Sequence, residues 1–247
     1  MIGRVEDCLN ELLAGIRPAS LGEAVRHAVF PGGKRIRPQI CLAAAKAAGG
    51  NEEDAIFPAC AIELLHCYTL VHDDLPDMDN DTMRRGRPSV WAKFGCANAI
   101  LAGDALQALA FRTAARAPRN VERILAALGD AGFGVVCGQV EDLGGSDIDF
   151  IYRHKTADLF AAAAMMGAYA GGGSEGDAMR LREYALNLGL AFQHEDDLLD
   201  GDSPYPKDET ERRIASLTEA AIGALGGLPG DVGRLVSIAR LLAGRSS

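Results

Sequence analysis

Apolar residues recur at helical spacing along almost the whole of this 247-residue chain, and alternation with period two is nearly absent. Such a pattern buries itself helix against helix, so the expected fold is all-α. Helices are expected over residues 4–15, 21–29, 37–48, 51–74, 90–115, 120–140, 149–170, 175–200, 209–225 and 231–243. Ser20 with Glu23 reads as an N-terminal cap for the second, and Asn51 ahead of three acidic residues as the start of the fourth. Pro31-Gly32-Gly33, Gly49-Gly50 and Gly171-Gly172-Gly173 punctuate the pattern, and Pro204 and Pro206 end it sharply after residue 200. No repeat, low-complexity tract or linker divides the chain, so one helical domain over residues 1–247 is expected.

Hydrophobic residues make up 48% and charged residues 24%, ample for a real core. The net charge of −9 gives a nucleic-acid partner no general attraction, so none is expected. No basic segment precedes an apolar stretch at the start, which argues against a signal peptide. The apolar run 159–173 is Ala- and Gly-rich and short for a bilayer, so it reads as a buried helix and no transmembrane segment is expected. Six scattered cysteines without a CxxC pair argue against thiolate zinc and a disulfide framework, and for the cytoplasm.

Two acidic clusters interrupt this apolar background. The first is Asp73-Asp74-Leu75-Pro76-Asp77-Met78-Asp79-Asn80-Asp81, and the second is Glu195-Asp196-Asp197-Leu198-Leu199-Asp200. Carboxylates so crowded repel one another unless cations lie between them, and paired hard oxygens suit Mg²⁺. Gln193, Asp196, Asp197 and Asp200 fall at i, i+3, i+4 and i+7, one face of a helix. A solvated acidic face is the ordinary reading of such a run. Its position near a helix C-terminus opposes the macrodipole and calls for another cause. In the first cluster Pro76 breaks the helix, so the following segment can curl a carboxylate back toward Asp73. His66 lies seven residues before Asp73, hence on the same face.

Cations accompany the carboxylates. Gly32-Gly33-Lys34-Arg35-Ile36-Arg37 sets positive charge behind two glycines at a helix start, a place that favours an anion. It lacks the spacing of a Walker A loop. Arg84 and Arg85 directly follow the first cluster, with forked donors suited to phosphate oxygens. His154-Lys155-Thr156 adds a cation and a hydroxyl. Arg180, Arg182, Arg212 and Arg213 read as a solvated surface.

Six motifs in order complete the reading: GGKRIRP at 32–38, HCYTLVHDDLPDMDNDTMRRGRP at 66–88, FGCANAILAGDAL at 94–106, GQVEDL at 138–143, RHKTADL at 153–159 and GLAFQHEDDLLD at 189–200. Together they resemble the trans-isoprenyl diphosphate synthases, the polyprenyl synthetase family. The resemblance implies a single all-α bundle around a central cavity and the Mg²⁺-dependent, head-to-tail condensation of an allylic diphosphate with isopentenyl diphosphate. It also implies a homodimer.

Carried over by position, Asp73 and Asp79, with Asp77 as an additional candidate, and Asp196, supported by Asp200, would hold Mg²⁺, three ions in the closed complex. Lys34, Arg37, His66 and Arg85 correspond to the isopentenyl diphosphate site. Arg84, Lys155, Thr156 and Gln193 correspond to contacts with the allylic substrate, and these four carry the catalytic role. Such chemistry separates charge as the allylic C–O bond breaks, so Mg²⁺, Arg84 and Lys155 would stabilise the departing diphosphate while Thr156 and Gln193 turn oxygen dipoles to the cation. Tyr68, five residues or about 7.5 Å of helix before Asp73, and Thr69 would limit product length; the bulk of Tyr68 favours farnesyl diphosphate over geranyl or geranylgeranyl diphosphate.

The chain departs from the family after Asp200, where a lysine- and glycine-containing loop is missing and Lys207 is the nearest cation. It is also shorter than usual before Gly32, and Glu195 is a local change. These departures leave two alternatives, a catalytically weak regulatory subunit of a hetero-oligomeric synthase and a class I terpene cyclase.

Overall fold

A computed structural model describes residues 2–30 and 32–244. It is helical nearly throughout: α1 (Ile2–Leu12), α2 (Ala19–Val29), α3 (Ile36–Ala47), α4 (Ile56–Asp73), α5 (Val90–Phe94), α6 (Cys96–Ala114), α7 (Val121–Gly144), α8 (Ile148–Ile151), α9 (Asp158–Ala170), α10 (Glu175–Asp200), α11 (Lys207–Ala224) and α12 (Gly233–Ala243). The all-α expectation holds. The one sheet among the described residues is a hairpin of two-residue strands, β1 (Met83–Arg84) and β2 (Arg87–Pro88).

The apolar run begun at Leu159 becomes α9, buried along nearly its whole length. It packs against α3, α7 and α10, while α4 packs against α3, α6 and α9. Leu159 and Phe160 are fully buried, each worth about 2–3 kcal/mol of burial. α10 starts from a Ser174–Asp177 capping box, and both of its bounds agree with the pattern.

Three local expectations are corrected. α2 begins at Ala19 with Pro18 at its cap position, and Ser20, already inside the helix, does not cap it. The helix expected over 90–115 is two helices, because Gly95 adopts φ 84°, a conformation costly for any residue with a Cβ. Asn51 does cap as expected, accepting from the Glu53 amide, but what it opens is a 3₁₀ turn, Glu52–Ala55, ahead of α4. Pro31, part of the expected break, lies outside the described residues.

By length and composition, residues 52–73 and 121–144 could each cross a bilayer; 72% and 44% of an 18-residue window within each is buried in the fold. The first is a core helix. The second, α7, keeps an exposed apolar stripe of Phe133, Val136, Val140 and Leu143, beside Ile100 and Leu101 of α6.

Candidate active site

Three elements bring the chemistry together: the C-terminal ends of α4 and α10, and a π-helical turn, Tyr152–Ala157, between α8 and α9. A π turn holds an extra residue and is rare outside functional sites. Here the glycine at 138 on α7 permits it, since a Cβ there would stand 2.5 Å from the Lys155 amide nitrogen. The turn directs Lys155 and Thr156 into a cavity of about 390 Å³. Gln193 and Asp197 of α10 line it, as do Asp202 and Pro204 from the short segment after α10.

The first acidic cluster curls as expected. The Asp79 amide donates to the Asp73 carbonyl at 2.9 Å, and Asn80 turns the chain with φ 53°. Burial pushes the Asp73 carboxyl up to about 6; Lys155 opposes this and Asp79 adds to it. Asp77 and Asp79 are exposed. Asp74 is buried and accepts from Arg84 Nε at 2.8 Å, and Arg84 also reaches Asp81. Arg84, expected at the substrate, is thus anchored inside its own cluster.

The second cluster is held differently. Asp197 accepts from Gln193 Nε2 at 2.8 Å through Oδ1, and from the Tyr152 hydroxyl through Oδ2. Thr156 Oγ1 donates to Gln193 Oε1 at 2.7 Å, so the oxygen of Gln193 expected to face the substrate is engaged by Thr156. Asp196 lies close enough to Arg37 for its charge to be felt there, and Asp200 is exposed at the helix end. Lys155 is salt-bridged to Asp142 of α7 and also feels Asp73 and Asp79.

A second basic group lies beside α3. Arg37 rests 4.8 Å over the Phe160 ring, its Nε buried and without a partner, and burial followed by Arg85 brings its guanidinium down to about 10. His66 Nδ1 is likewise buried without a partner, and burial, then Arg37 and Arg85, hold the imidazole neutral. Arg85 lies over Gly33, 3.1 Å from where a Cβ would be. Lys34 is exposed. Arg35 is structural: buried, it joins Glu6 of α1 at 2.7 Å, Glu63 of α4 at 2.6 Å and the Val29 carbonyl, and so fixes the loop that carries Lys34 and the start of α3, which carries Arg37.

Tyr68 and Thr69 sit on α4 below Asp73. Tyr68 is half-buried with its ring edge-on to His72 at 4.9 Å, and Thr69 is buried with its hydroxyl on the His66 carbonyl. Sequence reasoning missed Tyr152 and Asp142. Nothing in the pattern marks Tyr152, whereas Asp142 stands inside the GQVEDL motif beside Lys155 in space. Among the described residues no three His, Cys, Asp or Glu side chains already form a metal cage. The donor set nonetheless fits Mg²⁺, which takes one or two carboxylates and completes its shell with water and phosphate oxygens. A half-buried carboxyl raised to about 6 is also one that a cation would relieve.

Residues 18–211 match the polyprenyl synthetase family. Over 219 residues the chain is 42% identical to geranylgeranyl pyrophosphate synthase 7, chloroplastic, of Arabidopsis thaliana, a match covering 81% of this chain and 63% of that relative. The chain therefore spans less than two thirds of the length of this plant protein. Its fold superposes on geranylgeranyl pyrophosphate synthetase from Pyrococcus horikoshii with a TM-score of 0.91 at 28% identity, covering 99% of this chain and 96% of that one. It also superposes on a geranyltransferase from Legionella pneumophila with a TM-score of 0.90 at 34% identity, covering 99% and 95%. Motifs, fold and the paired acidic and basic groups agree: the chain belongs to the polyprenyl synthetase family.

Proposed function

We propose that this chain condenses an allylic diphosphate with isopentenyl diphosphate, head to tail, in a Mg²⁺-dependent reaction giving a short trans-prenyl diphosphate. The observation that carries the reading is the presence of two separate cationic groups, each within electrostatic reach of an acidic cluster. Arg37 Nε and His66 Nδ1 are buried without partners beside Arg85, and Lys155 stands apart among the aspartates. Unpaired buried polar atoms crowded by positive charge are costly unless a partner such as an anion completes them. One such place, together with the separate cation Lys155 among the aspartates, suits two diphosphates, which weighs against a cyclase acting on one.

In this reading Lys34, Arg37, His66 and Arg85 hold isopentenyl diphosphate, and catalysis there is by positioning. Asp73, Asp79 and Asp196, assisted by Asp77 and Asp200, hold Mg²⁺, whose chemistry is charge compensation of the departing diphosphate. Lys155 adds a fixed cation to the same place, and Arg84 supports it from the Asp74 side. Thr156 and Gln193 face the carbon that loses its leaving group.

The half-buried Tyr68 below Asp73 supports a farnesyl stop; the names of the relatives support geranylgeranyl diphosphate instead. The exposed stripe on α6 and α7 supports a homodimer, because an uncovered apolar face of that kind marks a protein interface. The free cysteines support the cytoplasm as location. Residues 1–247 are proposed to act as one domain, and the short segment after Asp200 favours, as second reading, a weakly active subunit of a larger synthase.

Incubation with Mg²⁺, isopentenyl diphosphate and C5, C10 or C15 allylic diphosphates tests these readings. Elongated trans-prenyl products are expected; no elongation with any primer would refute the synthase, and a cyclic hydrocarbon from one diphosphate would favour the cyclase. Tyr68→Ala is expected to lengthen the products, and an unchanged distribution would move the length stop elsewhere.

A further inference from the structure

The chain of hydrogen bonds beside the cavity has a direction. An aspartate carboxylate accepts only, so the Gln193 side chain must turn its NH₂ group to Asp197 Oδ1, at 2.8 Å. That leaves Gln193 Oε1 toward Thr156, which must then donate, at 2.7 Å. With its proton committed to Gln193, the Thr156 hydroxyl can offer the cavity it lines only lone pairs. Tyr152, itself buried, donates to Asp197 Oδ2, so both carboxylate oxygens are engaged and the plane of the group is set.

We propose that Asp197 is a positioning residue rather than a metal ligand: anchored by Tyr152, it sets the polarity of the Asp197–Gln193–Thr156 chain so that a threonine lone pair faces the electron-poor allylic carbon. This rests on the allylic half of the reaction proposed above. It separates two adjacent aspartates that read alike in sequence. The charge of Asp196 is felt at Arg37, whereas Asp197 lines the cavity and is bonded to Tyr152 of the π turn. A lone pair held at the reacting carbon stabilises positive charge without reorganisation, whereas a hydroxyl free to rotate presents its proton part of the time.

Asp197→Asn removes the constraint, since an amide can donate as well as accept and Gln193 can then flip. Steady-state kinetics with an allylic diphosphate, isopentenyl diphosphate and varied Mg²⁺ separates the two roles. Positioning predicts that kcat falls about 10- to 100-fold with the half-saturating Mg²⁺ concentration within about twofold of the wild type. Tyr152→Phe should lower kcat in the same direction by less. Adding Asp197→Asn to Gln193→Leu should cost nothing further, because the chain is already cut.

A tenfold rise in the Mg²⁺ requirement, or additive losses in the double variant, would overturn the proposal. Should Asp197→Asn fail to fold, Tyr152→Phe carries the same Mg²⁺ and double-variant tests. If the wild type itself shows no turnover, the condensation reading fails, and crystal structures then read the chain directly. Neutron density showing the Gln193 NH₂ turned toward Thr156 in Asp197→Asn supports the positioning role, and Thr156 still donating to the Gln193 oxygen refutes it.

Discussion

The two acidic clusters solve one problem with different partners. In each, one of two adjacent aspartates is tied into the protein, Asp74 in the first and Asp197 in the second. Asp74 is tied by a cation, Arg84, which cancels its charge where it is buried. Asp197 is tied by neutral donors, Tyr152 and Gln193, which orient the carboxylate and leave its charge in place. The first arrangement is a structural anchor that leaves Asp73 within reach of Lys155. The second maintains negative charge on the α10 side while ordering a hydrogen-bonded chain. Charge pairing and dipole pairing thus divide similar sequence patterns into different duties.

The largest effect should come from the aspartates assigned to the cation. Asp73→Asn is expected to lower turnover by about 10³-fold or more, the scale of losing a main electrostatic element of a site, measured as product formed at saturating Mg²⁺. The same variant without Mg²⁺ should melt higher than the wild type at pH 7, because it removes a charge that burial disfavours.

Next in size is the anchor itself. Arg84→Ala strands the buried Asp74 carboxyl, a loss of about 1.5–3 kcal/mol for a hydrogen bond to a charged group, visible in denaturant unfolding. Asp197→Asn keeps its neutral partners and should cost less than about 1 kcal/mol. If the two variants lose equal stability, the contrast between the clusters is wrong.

The smallest effect is one of pH. Raised to about 6, the Asp73 carboxyl favours the folded protein in its protonated form; that contribution is full below its ordinary value and is lost as pH rises through about 6. Mg²⁺ should therefore raise the melting temperature more at pH 7 than at pH 5. An equal gain at both would remove Asp73 from the cation site.

Much of this was legible because helices announce themselves locally. α10 has the bounds its periodicity predicts, and from its i, i+3, i+4, i+7 face Gln193 and Asp197 line the cavity. The division of labour on that face was not legible, since Asp196 and Asp197 differ only in what lies across from them. Gly95 fell inside one expected helix, and its φ of 84° divides that run in two. Arg35 stood among cations in GGKRIRP, and only the fold places Glu6 and Glu63 around it. Tyr152 carried no signal, because its value depends on a turn whose hydrogen bonding departs from the α register.

That turn has a consequence for how the chain tolerates change. An α-helix advances each residue by about 100° around its axis, and the π turn at Tyr152–Ala157 inserts one residue out of step. Deleting any single residue there would let the backbone relax into regular helix with its hydrogen bonds satisfied. Yet α8 and its flanking loop would rotate against α9, and Lys155 and Thr156 would part company at the cavity wall. Residue count in this short stretch therefore acts as a constraint of its own, and variants that swap side chains should be borne far better than those that change its length.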